Sequence, residues 1–153
     1  MQRMFAEPTE WHTPWMERVL PNVIAVAELD PARTIFTRFI PPRSPDDIGG
    51  AWRRYWHKWD SMTRTRLDPG LIDLVSDLSR FVPPASIEDK SVMSAWQGSL
   101  HARLQSSGVD TLIVSGADST HDAMLAIYES RFGMQVETVT TADLVAARID
   151  GML

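Results

Sequence analysis

The chain has 153 residues, with 44% hydrophobic and 23% charged positions, ten prolines, eight glycines and no cysteine. That length predicts a single domain with a core of its own, and the missing cysteines exclude a disulfide framework, a thiolate metal site and a cysteine nucleophile within these residues. No apolar run reaches the ~18 residues of a membrane span, and no basic-then-apolar leader opens the sequence. A net charge of −5 argues against a general phosphate-binding surface. The expectation is a cytoplasmic globular protein with no membrane and no nucleic-acid partner.

Arginine dominates the basic residues: thirteen arginines stand against two lysines, Lys58 and Lys90. Arginine suits structural ion pairs, whereas lysine has a pKa that yields to its surroundings. A codon bias acting on surface residues explains the same skew without any function.

Residues 1–20, with Phe5, Trp11 and Trp15 between prolines, show no period and predict an ordered aromatic loop. Pro21 to Leu29 predicts a helix, with proline in its first turn and Val23, Val26 and Ala27 on one face. Thr34 to Ile40 is β-branched and aromatic, bounded by Pro41-Pro42, and reads as a strand. After a Pro/Gly/Asp loop over 41–50, Trp52, Tyr55, Trp56, Trp59 and Met62 form an aromatic helical stripe. Asp68-Pro69 then caps a helix carrying Leu71, Ile72, Leu74, Val75 and Leu78, ended by Pro83-Pro84. A short strand over Ala85–Asp89 leads directly to Lys90.

Ser99 to Gln105 reads as a helix with Gly108 as its stop. Thr111 to Ser115 is the nearly continuous apolar strand of a parallel sheet. Ser119 caps a helix through Arg131, Gln135 to Val139 is a last strand, and Thr141 caps a final helix ending near Ile149. Strands alternating with helices predict an α/β fold with a mostly parallel sheet.

Three motifs resemble the isochorismatase-like hydrolases, also called the cysteine hydrolase family. Met1-Gln2-Arg3-Met4-Phe5 resembles the latter part of their Asp-Met-Gln-x-x-Phe signature. Asp89-Lys90-Ser91-Val92-Met93-Ser94-Ala95-Trp96 is similar to their Asp-Lys-x-x-Tyr-Ser-Ala-Phe element. Gly108-Val109-Asp110-Thr111-Leu112-Ile113-Val114-Ser115-Gly116 is similar to their Gly-Val-x-Thr-Leu-Val-Val-Thr-Gly strand. The motifs occur in family order and span nearly the whole chain.

The resemblance implies a three-layer αβα sandwich, Rossmann-like and here incomplete, with a triad of aspartate, lysine and cysteine. In the cysteine-using members, which cleave amide and imide-like C–N bonds, the thiolate attacks a carbonyl while the aspartate moves the proton. The lysine lowers the cysteine pKa. Members that cleave the vinyl ether of isochorismate need the aspartate as acid but not the cysteine. Carried over by position, the catalytic lysine is Lys90, and Gln2, Phe5 and Trp96 fall at the substrate pocket. The aspartate and its strand would precede Met1.

The cysteine position admits two alignments. Gly116 to Asp122 matches a degraded nucleophile turn with Asp122 in the cysteine's place. Alternatively, about thirty residues, the size of one α/β unit, are lost after Gly116. In that case Asp118-Ser119-Thr120-His121-Asp122-Ala123 matches the family's later Ser/Asp-x-Thr-His-Asp-Ala helix. The second match extends through Arg131-Phe132-Gly133 and is preferred.

The expected domain is therefore 1–153, lacking its first strand and one helix–strand unit, and inactive as it stands. Its partners would be a small-molecule substrate if active, or a second copy. Other patterns carry plainer readings. Lys90 could be a surface lysine paired with Asp89 or Glu88. Gln2 could fray with the terminus, and Phe5 and Trp96 suit a core or a pocket wall. Arg53, Arg54, Lys58, Arg64 and Arg66 among the tryptophans resemble a single-strand nucleic-acid groove, but rings and charges mostly fall on opposite helix faces. His12, His57, His101 and His121 have no mutual ligand spacing, and the Asp-x-His-x-x-His cluster of metal-bearing nicotinamidase relatives is missing. No metal or cofactor is expected. Ser119 fits an N-cap better than a serine triad with His121 and Asp122. A catalytically silent binding or oligomerisation domain is the alternative to an enzyme.

Overall fold

The computed structural model describes residues 1–92, 95, 99–109, 111–116 and 135–138. The helices expected over 119–131 and 141–149, and the Trp96 position, lie outside them. Five helices and four strands are described: α1 (Arg3–Ala6), α2 (Met16–Leu29), β1 (Ile35–Phe39), α3 (Gly50–Lys58), α4 (Ser76–Ser79), β2 (Ser86–Lys90), α5 (Ser99–Ser106), β3 (Thr111–Val114) and β4 (Gln135–Thr138).

Both strand pairs are parallel, as the alternation of strands and helices predicts. β1 pairs with β2, with Phe39 opposite Lys90, and β3 pairs with β4, with Thr111 opposite Gln135. Each pair forms a separate two-stranded sheet. Side chains of a strand alternate between its faces, so Phe36 and Arg38 point one way from β1 while Ile35, Thr37 and Phe39 point the other. On the first side, Phe36 packs with Val23 and Ala27 of α2, Leu74, Leu78 of α4 and Ala85. On the second, Phe39 joins Met4, Trp56, Met62 and Leu67, and Ile35 packs with Leu112 on Ala95, Leu100 and Leu104. Helices thus cover both faces of parallel strands, and the fold is an incomplete α/β sandwich.

Several expected boundaries move. α2 begins at Met16 and encloses Pro21, which the sequence placed in the first turn. Met16, Val23 and Ala27 fall on one buried face, and that spacing draws the helix upstream. Pro21 cannot donate to the Glu17 carbonyl one turn back, but both residues are exposed, so water can serve that oxygen.

The continuous helix expected after Asp68-Pro69 is broken. The Asp68 carboxylate does cap a turn by accepting from Gly70 N–H at 2.8 Å, but the turn is a short 3-10 segment, Pro69–Ile72. Residues 73–75 then straighten to pair with the amino-terminal segment: Arg3 N–H donates to Asp73 O at 2.9 Å and Val75 N–H to Met1 O at 3.2 Å. A partner 70 residues away in the sequence overrides local helix propensity.

The aromatic stripe is helical only to Lys58 and continues as a 3-10 turn, Asp60–Met62. Trp56 and Met62 are buried, but Trp52 is 55% exposed. Residues 1–20 contain α1 and the start of α2, so the expected loop is confined to 7–15. Trp11 is the hub of that region. Its ring lies 5.6 to 6.1 Å from those of Phe5, Phe39, Trp56 and Trp59. Gly108, at φ 67°, ends α5 as its position predicts, because glycine occupies the left-handed region without a Cβ clash.

Candidate functional site at the carboxyl rim of β1 and β2

Lys90 is the last residue of β2, one position earlier than expected, and sits at the carboxyl end of a parallel strand. Open α/β sheets bind ligands at that rim. Its carbonyl accepts Ile40 N–H at 2.7 Å, which closes the β1–β2 ladder and fixes the backbone from which the side chain leaves. The carboxylates beside it in sequence have partners on other elements. Asp89 accepts a two-pronged bond from Arg38, at 2.8 and 3.0 Å, and Glu88 accepts from the Ser99 hydroxyl. Arg38 also donates to Asp73 at 3.1 Å, so one guanidinium ties β1, β2 and the 73–75 segment together. The sequence reading did not single out Arg38; its only signal was an arginine on one strand in register with an aspartate on the next.

The Met1 amino group lies within electrostatic reach of Lys90. Burial and then the charge of Lys90 push its pKa down from 8.0 to about 6. Each cause disfavours the ammonium form.

Gln2 does not fray. It is 3% exposed and is anchored at every polar atom. Its Oε1 accepts Phe39 N–H at 2.7 Å, and its Nε2 donates to Phe39 O at 2.9 Å and to Ile72 O at 2.7 Å. The side-chain amide thus copies a neighbouring strand's peptide group against the outer edge of β1. Phe5 is half-buried and stacks on Trp11 at 6.0 Å, which makes it a wall of the aromatic cluster. Trp96 lies outside the described residues. Lys90, Gln2 and the Met1 amino group therefore converge at one end of the β1–β2 pair, while Phe5 stands behind them in the packing.

A second concavity lies on the other face of the sheet. It is an open groove of about 590 Å³ lined by Arg3, Glu7, Arg38, Asp73, Ser76 and Ile87 among others. Lys90 is not among its walls. Its arginines are neutralised locally, Arg3 by Glu7 at 2.5 Å and Arg38 by Asp89 and Asp73, so the groove presents little net charge to an anion. Among the described residues no three His, Asp or Glu side chains converge as metal ligands. No described helix is long and apolar enough to cross a membrane.

Comparison with known proteins supplies the family. No curated protein and no solved structure matches the chain. The family model described as "Isochorismatase domain" does match, over residues 1–148. That span takes in the amino-terminal segment that reaches Lys90, the strand bearing Lys90 and the β3–β4 pair, and the chain belongs to the isochorismatase domain family.

Proposed function

We propose that this chain keeps the lysine position of an isochorismatase-like hydrolase but does not turn over substrate by itself. The substrates of such a site would carry amide, imide-like C–N or vinyl-ether bonds. The observation that carries the reading is that the residues which place Lys90 at the strand rim include no cysteine. With no cysteine in the chain, no thiolate is available for acyl transfer. In this reading a helix–strand unit is lost after Gly116, and the chain acts in the cytoplasm.

The test is hydrolysis of nicotinamide, of simple amides and of isochorismate by the purified chain. The expected rate equals that of buffer and is unchanged in Lys90→Ala. Turnover that disappears in Lys90→Ala would sink the proposal and restore the active-enzyme reading.

A second reading, a silent domain that binds another chain, has its own support. The two parallel pairs stand as separate sheets, although Ile35 of β1 and Leu112 of β3 pack on the same residues. Size-exclusion chromatography with light scattering tests self-association, and a monomer at all concentrations argues against a homo-oligomer.

A further inference from the structure

Charges of opposite sign alternate along the groove on the Phe36 side of the sheet. Glu7 pairs with Arg3, and Asp73 pairs with Arg38. The Arg3 charge is favoured first by its hydrogen bond to Glu7 and, among weaker causes, by the charge of Asp73. The four groups cancel, and Leu74, Val75, Val82 and Ile87 add apolar wall beside them.

Neither guanidinium is used up. Each has five N–H donors in a fixed fork. Arg38 uses three of them on described partners, two on Asp89 and one on Asp73. Arg3 uses two on Glu7 and one on Gly70 O. Two donors on each are left without an acceptor among the described residues. The Arg38 side chain is only 23% exposed, and a donor shielded from water gains most from a new acceptor. Asp73 accepts from Arg38 through Oδ1 alone, and its side chain is 63% exposed.

A lone anion gains little here, because Glu7 and Asp73 repel what the arginines attract. A ligand with both charges meets a partner for each. In an α-amino acid the ammonium and the carboxylate sit on one carbon, and Arg38 and Asp73 are likewise adjacent, at 3.1 Å. The carboxylate can take the open N–H groups of Arg38, whose planar fork suits it, while the ammonium faces Asp73. The groove volume of about 590 Å³ falls within the range of small-molecule sites.

We propose that this groove binds a free α-amino acid with a large apolar side chain. Arg38 and Asp73 hold its head, and Leu74, Val82 and Ile87 cover its tail. The inference goes beyond the silent-hydrolase reading, because it gives the chain a ligand away from Lys90, which does not line the groove. Binding in the groove and turnover at Lys90 are measured separately, so either idea can fail alone.

The probe is L-leucine, titrated into the isotopically labelled full chain and followed by NMR up to about 10 mM, beyond the millimolar end of the affinity scale. Saturable one-to-one binding is expected, with the shifts centred on the amides of Asp73 to Ser79 and of Ile87. N-acetyl-leucine lacks the ammonium and leucinamide lacks the carboxylate, so each should bind about three- to tenfold more weakly. Glycine keeps both charges without the apolar body and should lose about tenfold or more.

Arg38→Gln should weaken leucine by about three- to tenfold. Ser76→Trp, at an exposed position in the groove wall, should abolish binding by filling the space. If Arg38→Gln fails to fold, the blocked ligands on the unmodified chain and Ser76→Trp give the answer. Three results would overturn the proposal: no saturable shift at the highest leucine concentration; N-acetyl-leucine and leucinamide bound as tightly as leucine; or shifts that persist unchanged in Ser76→Trp.

Discussion

The two phenylalanines of β1 enter clusters built from opposite materials. Phe36 enters an aliphatic cluster formed with α2, α4 and the straightened 73–75 segment. Phe39, three residues on, enters an aromatic cluster formed by the short helix α3, 3-10 turns and the loop that carries Trp11. Aliphatic side chains gain mainly by area removed from water, so they need elements that hold many of them in one plane. Aromatic rings each bury a large area and add preferred ring–ring geometries, so a few of them can organise irregular chain. Aliphatic side chains on regular helices cover Phe36, and rings carried by α3, the 3-10 turns and the loop cover Phe39.

Substitutions can break this contrast. The largest expected effect is Trp56→Ala, which removes a buried ring stacked on Phe39 at 6.1 Å. It should cost about 3–5 kcal/mol, read as a lower urea midpoint. Leu78→Ala, at a fully buried aliphatic position, should cost about 2–5 kcal/mol. If its cost clearly exceeded that of Trp56→Ala, the aromatic face would be decoration rather than core.

The rim adds a pH-dependent term. The folded-state pKa of the Met1 amino group lies below its unfolded value of 8.0, at about 6, so between those values the unfolded chain binds more protons. Stability should therefore rise with pH from about 6 to 8, by on the order of 2–3 kcal/mol. It should level off above that window, and acetylation of the amino group should abolish the slope. Urea melts across pH 5–9, compared with the acetylated chain, make the check. A flat profile in the unmodified chain would mean that this amine is solvated.

Gln2→Ala strands the outward N–H and C=O of Phe39 and should cost about 1–3 kcal/mol. Gln2→Glu separates packing from hydrogen bonding: it keeps the acceptor for Phe39 N–H but loses the donors to Phe39 O and Ile72 O. Arg38→Ala should cost least, about 1 kcal/mol or below, because its partners Asp73 and Asp89 are themselves 63% and 46% exposed.

The strands were the most legible elements. Ile35 to Phe39 and Thr111 to Val114 are short β-branched or apolar runs bounded by turn residues, and both run parallel to their partners as the alternation with helices implies. The position of Lys90 at a strand's carboxyl end followed from the same pattern. The extent of α2 was harder to read, because a proline inside an exposed helix face looks like a start signal. The segment Leu71–Leu78 read as one helix because its apolar spacing is helical; residues 73–75 are straight because residues 1–3 lie beside them. Gln2 carries no local signal at all. A glutamine near a terminus is ordinarily solvated, and its burial depends on Phe39 and Ile72 arriving from far along the chain.

Periodicity and turn chemistry alone determined that this chain makes parallel strands with helices between them, and the order of its motifs pointed to the family, since both are properties of neighbouring residues. Which groups meet was decided by tertiary structure. Arg38 with Asp89 and Asp73, and Gln2 with the edge of β1, are contacts between distant segments, and the charge of Lys90 acts on the Met1 amino group from far along the chain. Their energy exists only once the intervening chain has been ordered, so no local rule contains them.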